Sequence, residues 1–216
     1  MKDIKKLKVA LALTAFSASI LVISNIVAVK LWDFCGIAVD GGIAIFPLTY
    51  IIGDLVVELY GKKLANYVIG VGFVLNILAV LVFVLVGMLP PFGDWGDQEA
   101  YQAILGFTPR IVAGSLIAYV FSGMVNNFFF EKIRKKTGEK HLYIRSLGSS
   151  VIAKIVDNVL FKTIAFFGVL SFEDFMWQLG FAYVASLVLE IAMTPLTYLL
   201  VGKLKKYAIR DSKSPA

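Results

Sequence analysis

Two carboxylates, Asp54 and Glu58, stand four residues apart inside the apolar run PLTYIIGDLVVELYGKKL, residues 47–64. Further along, SSVIAKIVDNVLFKTIAFFG carries Lys154, Asp157 and Lys162, and Glu190 interrupts a third apolar run. At the centre of a bilayer each such residue costs about 2.5–3.5 kcal/mol, so residues of this kind face a bundle interior, pair with one another and mark a pathway. Helical spacing says which of them can meet. Asp54 and Glu58 at i,i+4 share one face, as do Lys154, Asn158 and Lys162, and Asp157 lies one turn from Lys154, close enough to pair with it. The six carry four negative and two positive charges, so two carboxylates lack a basic partner unless Arg110 supplies one. Carboxylates in that position take up protons, bind a cationic ligand or accept a ligand's N–H groups. Two of the six also have plainer readings: Glu58 can pair with Lys62 at the interface, and Lys154 can snorkel to the cytoplasmic end of its helix. Asn25, Asn76, Asn126 and Asn127 offer amides that bond across helices. Phe46, Tyr50 and Tyr119 lie on the same apolar runs as the polar residues and could stack on a flat ligand.

The elements that must hold these residues follow from composition. The chain has 216 residues, 59% of them hydrophobic and only 17% charged, with a mean hydropathy of +0.82. Those values lie outside the usual range of a soluble domain. Stretches of about 20 apolar residues occur at 9–29, 42–60, 67–89, 111–130, 151–170 and 179–201. None alternates with the period of two that a membrane barrel requires. The expectation is an all-α polytopic membrane protein, a single domain over 1–216 with six transmembrane helices. The first apolar run is too long for a secretory signal and reads as a retained helix.

Basic residues fix the orientation. With the N-terminus inside, 17 of the 21 Lys and Arg fall in the inner segments, including Lys62 and Lys63 in the second loop. The outer segments hold Asp33, Asp40, Asp94, Asp97, Glu99, Glu173 and Asp174, with Lys30 and Arg110 as their only basic residues. Both termini are therefore expected in the cytoplasm. The net charge of +6 arises from this sorting and from contact with anionic lipid, and gives no argument for nucleic acid. The longest outer loop predicts a short helix near 97–105, lying over the mouth of the bundle. One cysteine, Cys35, and one histidine, His141, exclude an intrachain disulfide and leave little scope for zinc or triad chemistry. No Gly-rich phosphate loop is present, so the chain cannot hydrolyse ATP by itself. PLTY occurs at 47–50 and again at 195–198, in two runs of the same direction.

The motifs SNIVAVK, FPLTYIIGDLVVELYGKKLA, RIVAGSLIAYVFSGMVNNFFFEKIRKKT, SSVIAKIVDNVLFKTIAFFG and the final TPLTY together resemble the queuosine precursor transporter family, earlier described as a vitamin uptake transporter family. The resemblance runs over all six apolar stretches. It implies import of 7-deazaguanine precursors of queuosine across the cytoplasmic membrane. It also implies a fold similar to the membrane substrate-binding subunits of energy-coupling factor transporters. Two positions depart from the family pattern: an acidic or amide residue is expected where Lys154 stands, and often a lysine where Ser186 stands.

A 7-deazaguanine presents N1–H and NH2 side by side, and one carboxylate accepts both. An aminomethyl substituent would add a cation for a second carboxylate. The expected substrate-binding residues are Asp54, Glu58, Asp157, Glu190, Asn25, Phe46, Tyr50, Arg110, Tyr119, Lys154 and Asn158, with no metal and no cofactor. Partners expected besides substrate and lipid are a second copy of the chain and an energy-coupling ATPase module. The competing reading is a capture subunit that depends on that module. An intramembrane enzyme using Asp54 and Asp157 lacks a nucleophile, metal or cofactor beside them. A scaffold or ion channel would not need so many different polar groups.

Overall fold

The computed structural model describes residues 2–137 and 142–209; the side chains at 2, 3, 5, 46, 47, 50, 134, 136, 137, 142–147, 194 and 205–209 are outside that description, as is His141. Among the described residues seven α-helices dominate: α1 (Lys2–Val27), α2 (Phe46–Tyr60), α3 (Lys62–Gly87), α4 (Gln98–Ile104), α5 (Thr108–Thr137), α6 (Leu142–Phe166) and α7 (Phe172–Ile209). Helix α1 packs on α3, α2 and α5, while α2 rests on α7 and α3. The largest interface joins α5 to α6. Small residues let these two backbones approach: a Cβ at Gly114 would lie 3.3 Å from the carbonyl oxygen of Phe161.

Large apolar side chains face outward, while some polar ones are buried. On α3, Leu78 and Leu81 are 53% and 54% exposed, whereas Asn76 is 1% exposed. Apolar faces of this extent need a hydrocarbon surround. Four helical stretches among the described residues are long and apolar enough to cross a membrane: Lys6–Val27, Lys62–Gly87, Gln98–Ile133 and Phe172–Met193. Helix α2, with 15 residues, reaches only about 22 Å at 1.5 Å per residue, short of a hydrocarbon core of about 30 Å. Helix α6 carries Lys154, Asp157 and Lys162 along its length. The protein is a multi-pass helical membrane protein.

Three features differ from the sequence expectation. The connection after α1 is a β-hairpin, with β1 (Leu31–Phe34) antiparallel to β2 (Ile37–Asp40). Its two-residue turn has positive φ at both Cys35 (54°) and Gly36 (85°), the sign that matches the right-handed twist of paired strands. Asp33 Oδ1 accepts the Gly36 N–H at 3.0 Å and closes the turn. Next, the apolar run 42–60 is not one helix. A 3-10 turn, Gly41–Ala44, precedes α2, because the Asp40 carboxylate caps the Gly42 N–H at 3.1 Å and redirects the chain. Finally, the second inner loop shrinks to Gly61, whose φ of 84° turns α2 directly into α3. Lys62 and Lys63 are therefore the first residues of a helix. The short outer helix expected near 97–105 is present as α4, tied to the end of α3 by Gln102 Nε2 donating to the Gly87 carbonyl at 2.7 Å.

Candidate substrate cavity

A cavity of about 320 Å³ lies among α1, α2, α3, α5 and α6, under the 3-10 turn. That volume falls at the lower end of the range of small-molecule pockets, about 300–1,000 Å³. Its walls come from specific helix faces. From α6, Asp157 and Phe161 at i,i+4 face inward together; from α5, Ser115 and Tyr119 do the same. Tyr119 packs edge-on against Phe73 of α3, with ring centroids 5.0 Å apart and planes at 89°. One aromatic edge is thus fixed and the Tyr119 face is oriented.

The polar groups of the cavity are held by bonds outside it. Asn76, buried on α3, donates to the Gly72 carbonyl at 2.9 Å, which leaves its own carbonyl to accept from Asn25 Nδ2 at 2.7 Å. That chain orients the Asn25 amide so that its carbonyl oxygen remains as an acceptor. Asp157 accepts the Ser122 hydroxyl through Oδ1 at 3.1 Å. Among the described residues, no hydrogen bond reaches its second oxygen.

A smaller pocket of about 40 Å³ adjoins the cavity between α6, α7 and the 3-10 turn, and is lined by Lys154, Asn158, Lys162 and Ser186 among others. Asp40, Asp157 and Phe161 line both spaces and form the partition between them. Asp40 and Lys162 are each 2% exposed and form an ion pair. The Lys162 ammonium lies 5.3 Å and 5.1 Å from the ring centroids of Phe161 and Phe166, distances at which the ring faces also stabilise a cation. Asp40, read from the sequence as an outer-segment residue, is buried at the end of β2, where it meets Lys162 of α6.

Lys154 also departs from the local pairing. Its ammonium bridges to Glu190 of α7 at 2.8 Å and approaches the Ser186 carbonyl at 3.4 Å, while still acting on Asp157 through space. A cross-helix partner thus supplements the partner one turn away.

The structure brings together only part of the expected site. Asn25, Tyr119 and Asp157 line the main cavity, and Lys154 and Asn158 line the pocket behind the partition. Asp54, Glu58 and Glu190 line neither space. Thr49 and Gly53 are the residues α2 turns toward the cavity, and Asp54 is rotated about 100° from Gly53. Arg110 is also outside. Its Nε donates to the Ile164 carbonyl at 2.6 Å and its Nη2 to the Phe167 carbonyl at 2.5 Å, so it caps the C-terminus of α6, where a cation is stabilised by the helix dipole. The side chains of Phe46 and Tyr50 are outside the described residues. The sequence reading missed Asp40, Lys162, Phe161 and the cavity hydroxyls of Ser24 and Ser115. Lys162 was recognised as intramembrane, but its partner lies 122 positions away, beyond any local pattern. The serines give no signal, since small residues between helices usually serve packing.

Two curated proteins are similar to this chain. The "Probable queuosine precursor transporter" of Bacillus subtilis (strain 168) is 26% identical over 180 residues, covering 82% of this chain and 78% of the relative. The "Queuosine precursor transporter" of Escherichia coli (strain K12) is 24% identical over 181 residues, covering 84% and 75%. No solved structure matches. The chain is a membrane transporter of a small molecule and not an enzyme. A family model described as "Putative vitamin uptake transporter" matches residues 40–200, from the capping carboxylate of the hairpin to the last turns of α7, and the chain belongs to that family.

Proposed function

We propose that this protein imports queuosine precursors, 7-deazaguanine derivatives such as the 7-cyano and 7-aminomethyl compounds or queuine, across the cytoplasmic membrane. The observation that carries the reading is Asp157, an intramembrane carboxylate with one oxygen fixed by Ser122 and the other left for a ligand on the wall of a 320 Å³ cavity. The carboxylate there accepts the N1–H and NH2 edge of a 7-deazaguanine, one through its second oxygen and one through the remaining lone pair of Oδ1, the Asn25 carbonyl accepts a further N–H, and Tyr119 and Phe161 take the ring faces. Stacking of this kind contributes about 1–3 kcal/mol per base. The two relatives named for queuosine precursors support the same substrate class.

In this reading six elements cross the membrane: α1, the 3-10 turn with α2, α3, α5, α6 and α7. Both termini are cytoplasmic, the hairpin and α4 lie outside, and the arrangement is similar to the membrane subunits of energy-coupling factor transporters. Asp54, Glu58 and Glu190 then belong to the route between cavity and cytoplasm. The orientation has a direct check. Cys35 is exposed at the hairpin turn, so a membrane-impermeant thiol reagent should label it in intact cells; labelling only after lysis would invert the topology.

Uptake of a radiolabelled precursor into proteoliposomes that hold the purified protein alone tests the function. Accumulation that follows an imposed proton gradient, or equilibration without one, is the expected result. Tight binding with no uptake until an ATPase module is added would make the chain a capture subunit. Neither binding nor uptake would remove the substrate class.

A further inference from the structure

The two amides at the α1–α3 wall have only one arrangement, and that arrangement decides what the cavity can read. A side-chain amide on its own can turn end for end and present either its carbonyl or its NH2 group. Asn76 cannot. It is 1% exposed and bonds the Gly72 carbonyl at 2.9 Å, an oxygen that only accepts, so its Nδ2 must point there and its Oδ1 away. Asn25 meets that Oδ1 at 2.7 Å and can do so only with its own Nδ2. Turning either amide would lose a bond and set two oxygens against each other. Asn25 and Gly72 line the cavity, and Asn76 stands behind them. A polarity imposed at Asn76 is thus displayed to the cavity by Asn25.

The other polar groups of the cavity are less constrained. The hydroxyls of Ser115 and Tyr119, which also line it, can rotate to donate or to accept. Hydroxyls adapt to a ligand, whereas an amide held at its NH2 end does not. We propose that Asn76, which touches no ligand, is a positioning residue that sets specificity. By holding Asn25 with its oxygen toward the cavity, it makes the transporter select an N–H over an acceptor at the ligand position that faces α1. The inference rests on the function proposed above and deepens it. Asp157 takes the N1–H and NH2 edge, so the ring N–H left for Asn25 is that of the pyrrole. A ligand with an acceptor there loses one hydrogen bond and sets its lone pair against the Asn25 oxygen, with no turn of the amide to relieve it.

Calorimetry on the purified protein tests this with two probes of the same shape: 7-deazaguanine, and the furopyrimidine isostere in which a ring oxygen replaces the pyrrole N–H. Wild type should bind 7-deazaguanine at least about tenfold more tightly, the weight of one hydrogen bond at the upper end of its usual range. Asn76→Leu keeps the volume and removes both bonds. Asn25 is then free to turn its NH2 toward the ring oxygen, and the two probes should bind within about threefold of each other. A merely structural Asn76 would weaken both probes alike and leave their ratio unchanged. Asn76→Thr separates its two bonds and guards against a failure to fold. Its hydroxyl can still donate to the carbonyl four residues back, as Thr14 does to Ala10 at 2.8 Å, but it stands one bond closer to the backbone and no longer holds Asn25. It should lose the discrimination as Asn76→Leu does. Equal binding of the two probes by wild type overturns the reading of the N–H by Asn25. An undiminished ratio in the folded Asn76 variants overturns the role of Asn76 and leaves the transport function standing. Binding of neither probe by wild type defeats the function reading itself.

Discussion

Lys162→Met should destabilise the protein by about 3–5 kcal/mol, the usual result of stranding one partner of a buried ion pair. The methionine keeps most of the volume between the Phe161 and Phe166 rings but leaves Asp40, 2% exposed, as an uncompensated carboxylate. Adding Asp40→Asn removes that charge while its amide oxygen still accepts the Gly42 N–H, the bond that shapes the start of α2. The double variant should therefore recover most of the loss, since a buried pair replaced as a unit is often near neutral. Denaturation in mixed micelles measures both steps. A single variant within about 0.5 kcal/mol of wild type, the scatter of ordinary surface changes, would mean the pair does not form in the membrane. The pair also has a mechanical meaning. It ties the hairpin and 3-10 turn to α6 across the partition, so any movement that opens the cavity on that side must separate the two charges or carry them together.

That pair marks where the sequence stops being legible. Apolar runs of membrane length announce their helices because a backbone in hydrocarbon has to satisfy itself internally. The short helix α4 was legible from the composition of its loop. The hairpin was not. Its strands are four residues each, and its turn places cysteine at a positive φ, a position where asparagine or glycine is the recognisable signal. Once the hairpin is missed, Asp40 looks like one more outer-loop acid, and the apolar run that follows looks like a single span. The intramembrane charges were legible as a set, but their partners were not. Spacing along α6 gives Lys154 a neighbour in Asp157, whereas Glu190 becomes its partner only because α7 packs beside α6. The same limit explains Asp54. The i,i+4 rule places Asp54 and Glu58 on one face of α2 but cannot say what that face meets, and it is the neighbouring face, through Thr49 and Gly53, that turns toward the cavity.

Gly53 allows the cavity to be closed without disturbing its frame, and Gly53→Phe should abolish uptake in a protein as stable as wild type. A Cβ built at Gly53 meets nothing within 4 Å, so the new side chain enters open space rather than a packed neighbour. The substitution also removes a glycine from a helix interior, which by itself favours the helix by roughly 0.5–1 kcal/mol. A phenyl ring projecting from this face enters the same space as a flat ligand stacked between Tyr119 and Phe161. Binding should fall by at least about 100-fold, because a filled pocket forfeits both the stacking and the Asp157 hydrogen bonds. Gly53→Ala adds only a methyl group and should transport near the wild-type rate, so the two variants separate blockage from any need for glycine in the backbone. Precursor uptake and thermal unfolding are measured on all three proteins. Wild-type uptake by a well-folded Gly53→Phe would show that the substrate travels elsewhere. The acidic face of α2, with Asp54 and Glu58, would then be the next place to look, because it is the other polar surface this helix presents.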